Sequence, residues 1–357
     1  MIVLFFRFFR FKDFFSTLSI RHSQKEKLMF RYLLFSCLVG VIAFDGGAAL
    51  AVTKLKSISA LPRKHPLNKP LDHFTDLAHK YSENGLKIKY IGAGDSIPVP
   101  EQMKSLTRGV VDMFYGPMSY YQGSIPECQA FNGSNAPSTF VRSSGGLALM
   151  NKFANKRLNG ELLGWYGSGY TFYIYTKKKP LIAKTGLPDL TGMKMRAAPI
   201  YREMFSQFGA STVLVHVAEM FTALERGTVD GMGWIGPFVT NFGWDKFVKY
   251  RIKPAYWKGD IVLMMNKDKW DKLTTGNQDA ITRAAIEAEL WGDDLFKAYS
   301  AKEKVKLAKR GMIDIEIKGE AAKKYLSIAY DYGVWKGMAK NGVPADTIKE
   351  FKAKFYR

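Results

Sequence analysis

The hydrophobic period of this chain keeps switching between two and 3.6, and that alternation constrains the fold more than any other feature. Leu55 to Leu61 alternates apolar and polar residues as a strand does. Leu67 to Ser82 then carries Leu71, Phe74, Ala78 and Tyr81 at helical spacing, and Gly85 stops it. The run Leu86-Lys87-Ile88-Lys89-Tyr90-Ile91 alternates again. Helical and strand patterns taking turns point to an α/β architecture with largely parallel sheets.

An internal echo suggests two such units. Residues 99–112 read VPEQMKSLTRGVVD and residues 217–230 read VAEMFTALERGTVD, agreeing at seven of fourteen positions. In each copy the apolar positions (Met103 and Leu106; Phe221 and Leu224) lie three apart on one helix face. Arg-Gly ends the helix, and a short apolar strand follows, closed by Gly-Pro at 116–117 and 236–237. The echo fits two similar α/β lobes, each aiming a strand at a shared cleft. Further on, Asn277 to Arg310 holds no Pro and a single Gly, Gly292. One helix there would be about 50 Å long and brace both lobes; two helices broken at Gly292 fit the pattern equally. Met312 to Ile317 alternates as a strand, and 320–340 and 344–356 read as helical.

The first 51 residues read as a leader. After Met29 come Arg31, an apolar run from Tyr32 to Phe44, and Ala49-Leu50-Ala51, the order of a secretory signal peptide cleaved after Ala51. The run is too short to span a bilayer comfortably. Residues 1–28 would make an unusually long leader, so Met29 is the expected start. A rival reading makes Cys37 an acylated lipoprotein cysteine. The chain of 306 residues that remains has 46 Lys and Arg against 29 acids and one cysteine, Cys128, expected to be buried as a small apolar residue. The positive charge is scattered rather than clustered, and nothing resembles a nucleic-acid module.

Enzyme signatures are missing. The sequence has no GxSxG elbow, no phosphate loop, no GxGxxG after a strand, no HExxH and no spaced Cys/His set. His65, His73, His79 and His216 do not pair at any metal-ligand spacing and read as ordinary. The unusual choices gather in 186–260. Leu190-Thr191-Gly192 turns into the strand Met193-Lys194-Met195-Arg196, and Pro199 opens the next helix, which Gly209 stops. A strand covered by helices on both faces should be apolar. Arg196 at its end is therefore costly unless an anion meets it, or unless Asp230 or Glu203 pairs with it.

LTGMKMR followed by Pro199, the spacing to AEMFTALERGTVDG, and GWIGP at 233–237 resemble the solute-binding proteins of TRAP transporters, the DctP-like family. EQMKSLTRGVVDMFYGP is similar to that family's first-lobe helix and strand. The likeness is greatest to the branch that binds oxo- and hydroxy-carboxylates. It implies a two-lobed Venus-flytrap fold with crossing strands and a long bracing helix. Lobe I would comprise 52–169 with about 258–297, and lobe II 170–257 with about 298–357. It also implies a periplasmic protein that does no chemistry and presents a small organic anion, a monocarboxylate with an apolar or aromatic body, to membrane-embedded TRAP subunits. Delivery to a membrane sensor, or a secreted enzyme using the same cleft, are the rival functions.

Residue by residue, Arg196 matches the arginine that grips the ligand carboxylate by two hydrogen bonds, and Trp234 matches the cleft tryptophan. Phe172 falls where the family often carries Arg or Gln, so a second polar contact is not expected there. Where the branch has an acid that helps hold a metal ion, this chain has Gly233, and a second such position falls near Lys258. Both changes remove negative charge, so neither a metal nor any other cofactor is expected, and Lys258 would supply the positive charge instead. Tyr115, Tyr120, Tyr170, Phe172 and Trp257 lie at strand ends or loops, where α/β clefts bind ligands, and are candidate cleft walls. The protein reads as a monomer with no nucleic-acid partner.

Overall fold

The computed structural model describes residues 52–357 except Pro199 and His216. The leader, the cleavage site, Cys37, the helix start at Pro199 and the expectation for His216 therefore lie outside the described residues. Among the described residues, thirteen strands form two main sheets and a small ribbon.

The first sheet takes β1 (Thr53–Ser59), β2 (Leu86–Gly92), β3 (Met113–Pro117), β4 (Gly160–Trp165) and β12 (Ile261–Asn266), in the order β2-β1-β3-β12-β4. The second takes β5 (Thr171–Thr176), β8 (Lys194–Arg196), β9 (Ser211–Val213), β10 (Gly231–Ile235), β11 (Tyr250–Lys258) and β13 (Ile313–Glu316), in the order β13-β11-β5-β10-β8-β9. The ribbon pairs β6 (Leu181–Ile182) with β7 (Pro188–Asp189).

The sheets are mixed rather than largely parallel. β1 runs parallel to β2 and β3, and β10 parallel to β8, but β12 is antiparallel to both its neighbours and β5 is antiparallel to β10 and β11. The cause is the route of the chain. It leaves the first sheet through β4 and enters the second as β5, then returns from β11 to β12, so each sheet receives a strand from the other without a βαβ crossover.

The two crossings bind each other: Gly259 N–H donates to Gly167 O at 2.8 Å, and Tyr166 N–H to Ile261 O at 2.8 Å. Glycines let them touch. A Cβ on Gly167 would lie 2.0 Å from the Gly259 carbonyl oxygen, and one on Gly169 2.3 Å from that of Asp293.

The echoed segments occupy equivalent places. Helix Val99–Thr107 ends at Gly109 (φ +69°) and leads into β3; helix Met220–Glu225 ends at Gly227 (φ +72°) and leads into β10. The shared Asp closes the same clasp in both. Asp112 accepts from Lys56 N at 2.7 Å and donates its own N–H to Lys56 O; Asp230 accepts from Lys194 N at 2.9 Å and donates to Lys194 O. Ile58 and Arg196, two residues beyond those lysines, pair with Phe114 and Met232 in matching registers. The second unit thus carries an arginine where the first carries a core isoleucine.

Thr275–Lys309 is a single helix of 35 residues. Thr274 caps it, accepting from Asn277 N at 3.2 Å, and Gly311 (φ +81°) follows its end. Gly292 does not break it; a Cβ there would stand 3.0 Å from Pro70 Cγ, so the glycine admits the neighbouring helix Lys69–Tyr81. On the first sheet's side Glu289 accepts from Trp165 N at 2.7 Å and pairs with Arg142. On the second's, Glu303 accepts from Thr240 N at 2.6 Å, and Arg310, just past the helix, pairs with Asp245. The helix braces both.

Residues 319–340 carry a π-helical segment, Ile328–Trp335, inside an otherwise α-helical run. Helix Ala345–Phe355 then returns to the first sheet's side, with Phe355 against Phe131 and Trp165 and Phe351 against Phe153. Cys128 is buried, its thiol donating to Met118 O at 3.4 Å. No helix among the described residues is long and apolar enough to cross a membrane.

Candidate functional site

β8 ends on Arg196, and two parallel neighbours, β9 and β10, hold that end in place. The residue is 3% exposed. Its Nε donates to Val215 O at 3.0 Å, and its guanidinium lies 5.5 Å over the Trp234 ring. Neither acid that might have neutralised it does so. Asp230 is occupied by its clasp with Lys194, and Glu203 pairs with Lys340 at 2.7 Å. Among the described residues no carboxylate forms an ion pair with Arg196. A buried guanidinium without a counter-charge is unfavourable on its own.

Trp234, on β10, stands edge-on to Trp244 at 4.9 Å, and its buried Nε1–H has no acceptor among the described residues. Tyr201, in the helix Tyr201–Gln207, lies within reach of the guanidinium's charge. Burial pushes its hydroxyl well up, and the nearby Arg196 charge pulls the other way. Tyr201 also leads into an aromatic wall. Phe172 lies 5.9 Å from Tyr201, 6.2 Å from Tyr170 and 6.2 Å from Trp257, and Tyr201 lies 5.1 Å from Trp257.

Phe172, Tyr170 and Trp257 therefore form one aromatic cluster with Tyr201, and the Arg196 charge, beside Trp234, acts on it through Tyr201. Trp257 is also a structural wedge. It takes φ +43°, donates Nε1–H to Ala329 O at 2.8 Å, and packs where a Cβ on Gly333 would come within 2.4 Å of its ring. That contact lies in the π-helical segment, whose wider turn makes room for the ring.

Two candidates are engaged elsewhere. Tyr115 lies mid-strand in β3 rather than at a strand end, fully buried, its hydroxyl donating to Leu67 O at 2.9 Å and its ring edge-on to Tyr166. Lys258 sits where β11 enters the crossing, its ammonium donating to Ser168 O at 2.9 Å. Burial lowers the Lys258 pKa, and Asp293 opposes that shift. Asp293 in turn accepts from Ser138 Oγ at 2.6 Å and from Ser168 Oγ. Tyr120 is half-buried near Tyr201.

Sequence reasoning missed Tyr201 and Asp260. Asp260 lies in the second crossing, fully enclosed; burial pushes its carboxyl up, while Ser119 N donates to it at 2.6 Å. Its charge acts on both Tyr170 and Tyr201. No sequence pattern marks either residue; an acid two positions past a strand end in a crossing loop was the only available signal.

The position expected to hold a metal-binding acid does not fit one. A Cβ on Gly233 would stand 2.3 Å from Tyr201 Cε1, so the phenol ring fills the space a carboxylate would need.

Residues 58–327 match the model of the DctP family, described as bacterial extracellular solute-binding protein, family 7. This chain belongs to that family. It is a solute-binding protein of the TRAP type, as the sequence motifs implied. Among its relatives is the monocarboxylate 2-oxoacid-binding periplasmic protein of Nostoc sp., 24% identical over 279 residues that cover 71% of this chain and 75% of the relative. Among solved structures, DctP7 of Bordetella pertussis, an extracytoplasmic solute receptor binding pyroglutamic acid, has a TM-score of 0.70 at 22% identity, covering 85% of this chain and 99% of that one. A TRAP periplasmic solute-binding protein of Roseobacter denitrificans with bound L-galactonate has a TM-score of 0.69 at 18% identity, covering 85% and 99%. These likenesses establish the two-lobed α/β fold for the DctP protein described here.

Proposed function

We propose that this protein captures a small organic anion, a monocarboxylate with an apolar or aromatic body, between its two lobes, and hands it to the membrane subunits of a TRAP transporter without altering it. The observation that carries the reading is Arg196: buried, at a strand end, and without a carboxylate partner among the described residues. A carboxylate accepts two parallel hydrogen bonds from a guanidinium, which both neutralises the charge and orients the ligand. Phe172, Tyr201 and Trp257 beside it favour a body with little polarity. The name of the Nostoc relative and the pyroglutamate of the Bordetella receptor support the same ligand class.

In this reading Trp234, Phe172, Tyr170 and Trp257 wall the site, Tyr115 supports it from the first sheet, and Lys258 keeps the local field positive. The lobes are 52–169 with about 258–297, and 170–257 with about 298–344; the final helix goes with the first lobe because of its packing.

A thermal-shift screen against organic acids tests the function. A true ligand raises stability by RT ln(1+[L]/Kd), about 2.7 kcal/mol at 100 Kd. The same shift is expected with EDTA present, since the site does not fit a metal-binding acid at 233. No shift from any monocarboxylate would sink the reading, and a shift that EDTA abolishes and calcium restores would overturn its metal-free form.

Export follows the same proposal. A periplasmic extract should yield a mature chain starting at Val52, read by mass spectrometry of the intact protein; an acylated Cys37 at the N-terminus would contradict it.

A further inference from the structure

His65 lies in the loop after β1 and caps the short turn Pro66–Asn68, its Nδ1 accepting the Leu67 N–H at 3.1 Å. A ring nitrogen that accepts carries no proton, so in the neutral ring the proton is on Nε2. That Nε2 is buried and has no partner among the described residues, and the residue as a whole is 9% exposed. Burial keeps the ring neutral, lowering its pKa to about 4.

The ring also bridges the two halves of the molecule. It lies 6.0 Å from Phe238 and 5.5 Å from Phe242, both just beyond β10. Phe242 packs 6.1 Å from Trp234, whose Nε1–H is equally buried and has no partner among the described residues, and Arg196 lies over that same indole. Two buried donors without acceptors are a cost that native structures rarely carry without a reason. With the guanidinium they make a set of one polarity, since the groups still without a partner among the described residues are all N–H donors.

We infer that His65 is a specificity-determining residue of the anion site, its Nε2–H donating to an acceptor oxygen of the captured acid other than the carboxylate that Arg196 holds. The inference rests on the carboxylate-capture reading and deepens it. It narrows the ligand to acids carrying a second oxygen that accepts without needing to donate, such as a ketone or ring-amide carbonyl. A hydroxyl there would meet only donors with its own proton, and a plain fatty acid would leave the imidazole unpaired.

Two probe pairs differ in that oxygen: 2-oxo-4-methylpentanoate against 4-methylpentanoate, and pyroglutamate against cyclopentanecarboxylate. Each is titrated calorimetrically into the parent, His65→Asn and His65→Gln. Asn keeps an acceptor at the Nδ1 position for Leu67 N–H but does not reach Nε2, whereas Gln places an amide N–H near Nε2. The parent should bind the oxygen-bearing member of at least one pair about tenfold or more tighter than its partner, because an unpaired buried donor penalises the analogue that lacks the acceptor.

His65→Asn should lose that ratio while keeping its thermal midpoint and its affinity for the deoxygenated acid, and His65→Gln should keep most of the ratio. A purely structural role would instead lower both affinities together. The inference is overturned if His65→Asn keeps the ratio, if the parent binds these acids without discrimination, or if it binds none of the four while binding other acids. Should the Asn variant fail to fold, His65→Gln decides alone, since losing the ratio there also overturns it. Failure of every acid in the wider screen would be a different result, removing the capture reading itself.

Discussion

Arg196→Lys is expected to weaken binding of any captured monocarboxylate by roughly 2–4 kcal/mol, about 30-fold to 1,000-fold in Kd. The charge survives the substitution, so the loss isolates geometry. A guanidinium presents two parallel N–H groups to a carboxylate, while an ammonium on a flexible stem presents one at a time and holds its water more tightly. Arg196→Met should abolish binding. In the ligand-free protein it should leave stability unchanged or raised, because it removes a buried charge that no described carboxylate compensates. Calorimetric titration with the tightest acid from the screen, together with denaturant unfolding of the ligand-free variants, measures both halves. A methionine variant much less stable than the parent would mean that Arg196 is held for structure.

Gly167→Ala should be among the most damaging small substitutions in the chain, costing roughly 3 kcal/mol or more. Its Cβ would stand 2.0 Å from Gly259 O and 2.2 Å from Gly259 C, both backbone atoms with no rotamer to change. Relief requires the two crossing segments to part, which breaks the 2.8 Å bond from Gly259 N–H to Gly167 O and disturbs both crossings between the sheets. Gly276→Ala is the control. That glycine lies in the first turn of the long helix, where a Cβ meets nothing within 4 Å. It should be neutral or stabilising by up to about 1 kcal/mol. Unfolding midpoints of the two variants give the comparison, and an unfolding midpoint of Gly167→Ala close to the parent's would refute the account of the crossing.

Much of the fold was legible because its signals are local. The change of period placed β1, β2 and the helix between them, and the echo marked two segments that the structure puts in equivalent positions, down to the clasp of Asp112 on Lys56 and Asp230 on Lys194. Whether Gly292 broke the long helix was not legible, because the answer depends on Pro70, more than 200 residues away, packing against it. The same holds for strand direction. Alternating helices and strands favour parallel sheets, but β5 and β12 are each delivered from the other sheet, and a sequence pattern does not reveal that route.

The site divides along the same line. Arg196 stood out as a charge at the end of a strand that should be apolar, and a motif placed Trp234. Tyr201 carries no such mark; it became visible only when its ring was found filling the space beside Gly233. His65 read as an ordinary histidine because its meaning depends on which ring nitrogen accepts a backbone N–H and on what packs against the ring, neither of which is encoded in spacing.

The central claim is that a ligand carboxylate supplies the counter-charge that Arg196 lacks. The structure of the complex with the tightest acid from the screen tests it most directly. The account predicts two N–H···O bonds from the Arg196 guanidinium to one carboxylate, with the body of the acid against Phe172, Tyr201 and Trp257. A bound acid whose carboxylate sits elsewhere, with Arg196 still bonded only to Val215 O, would contradict it.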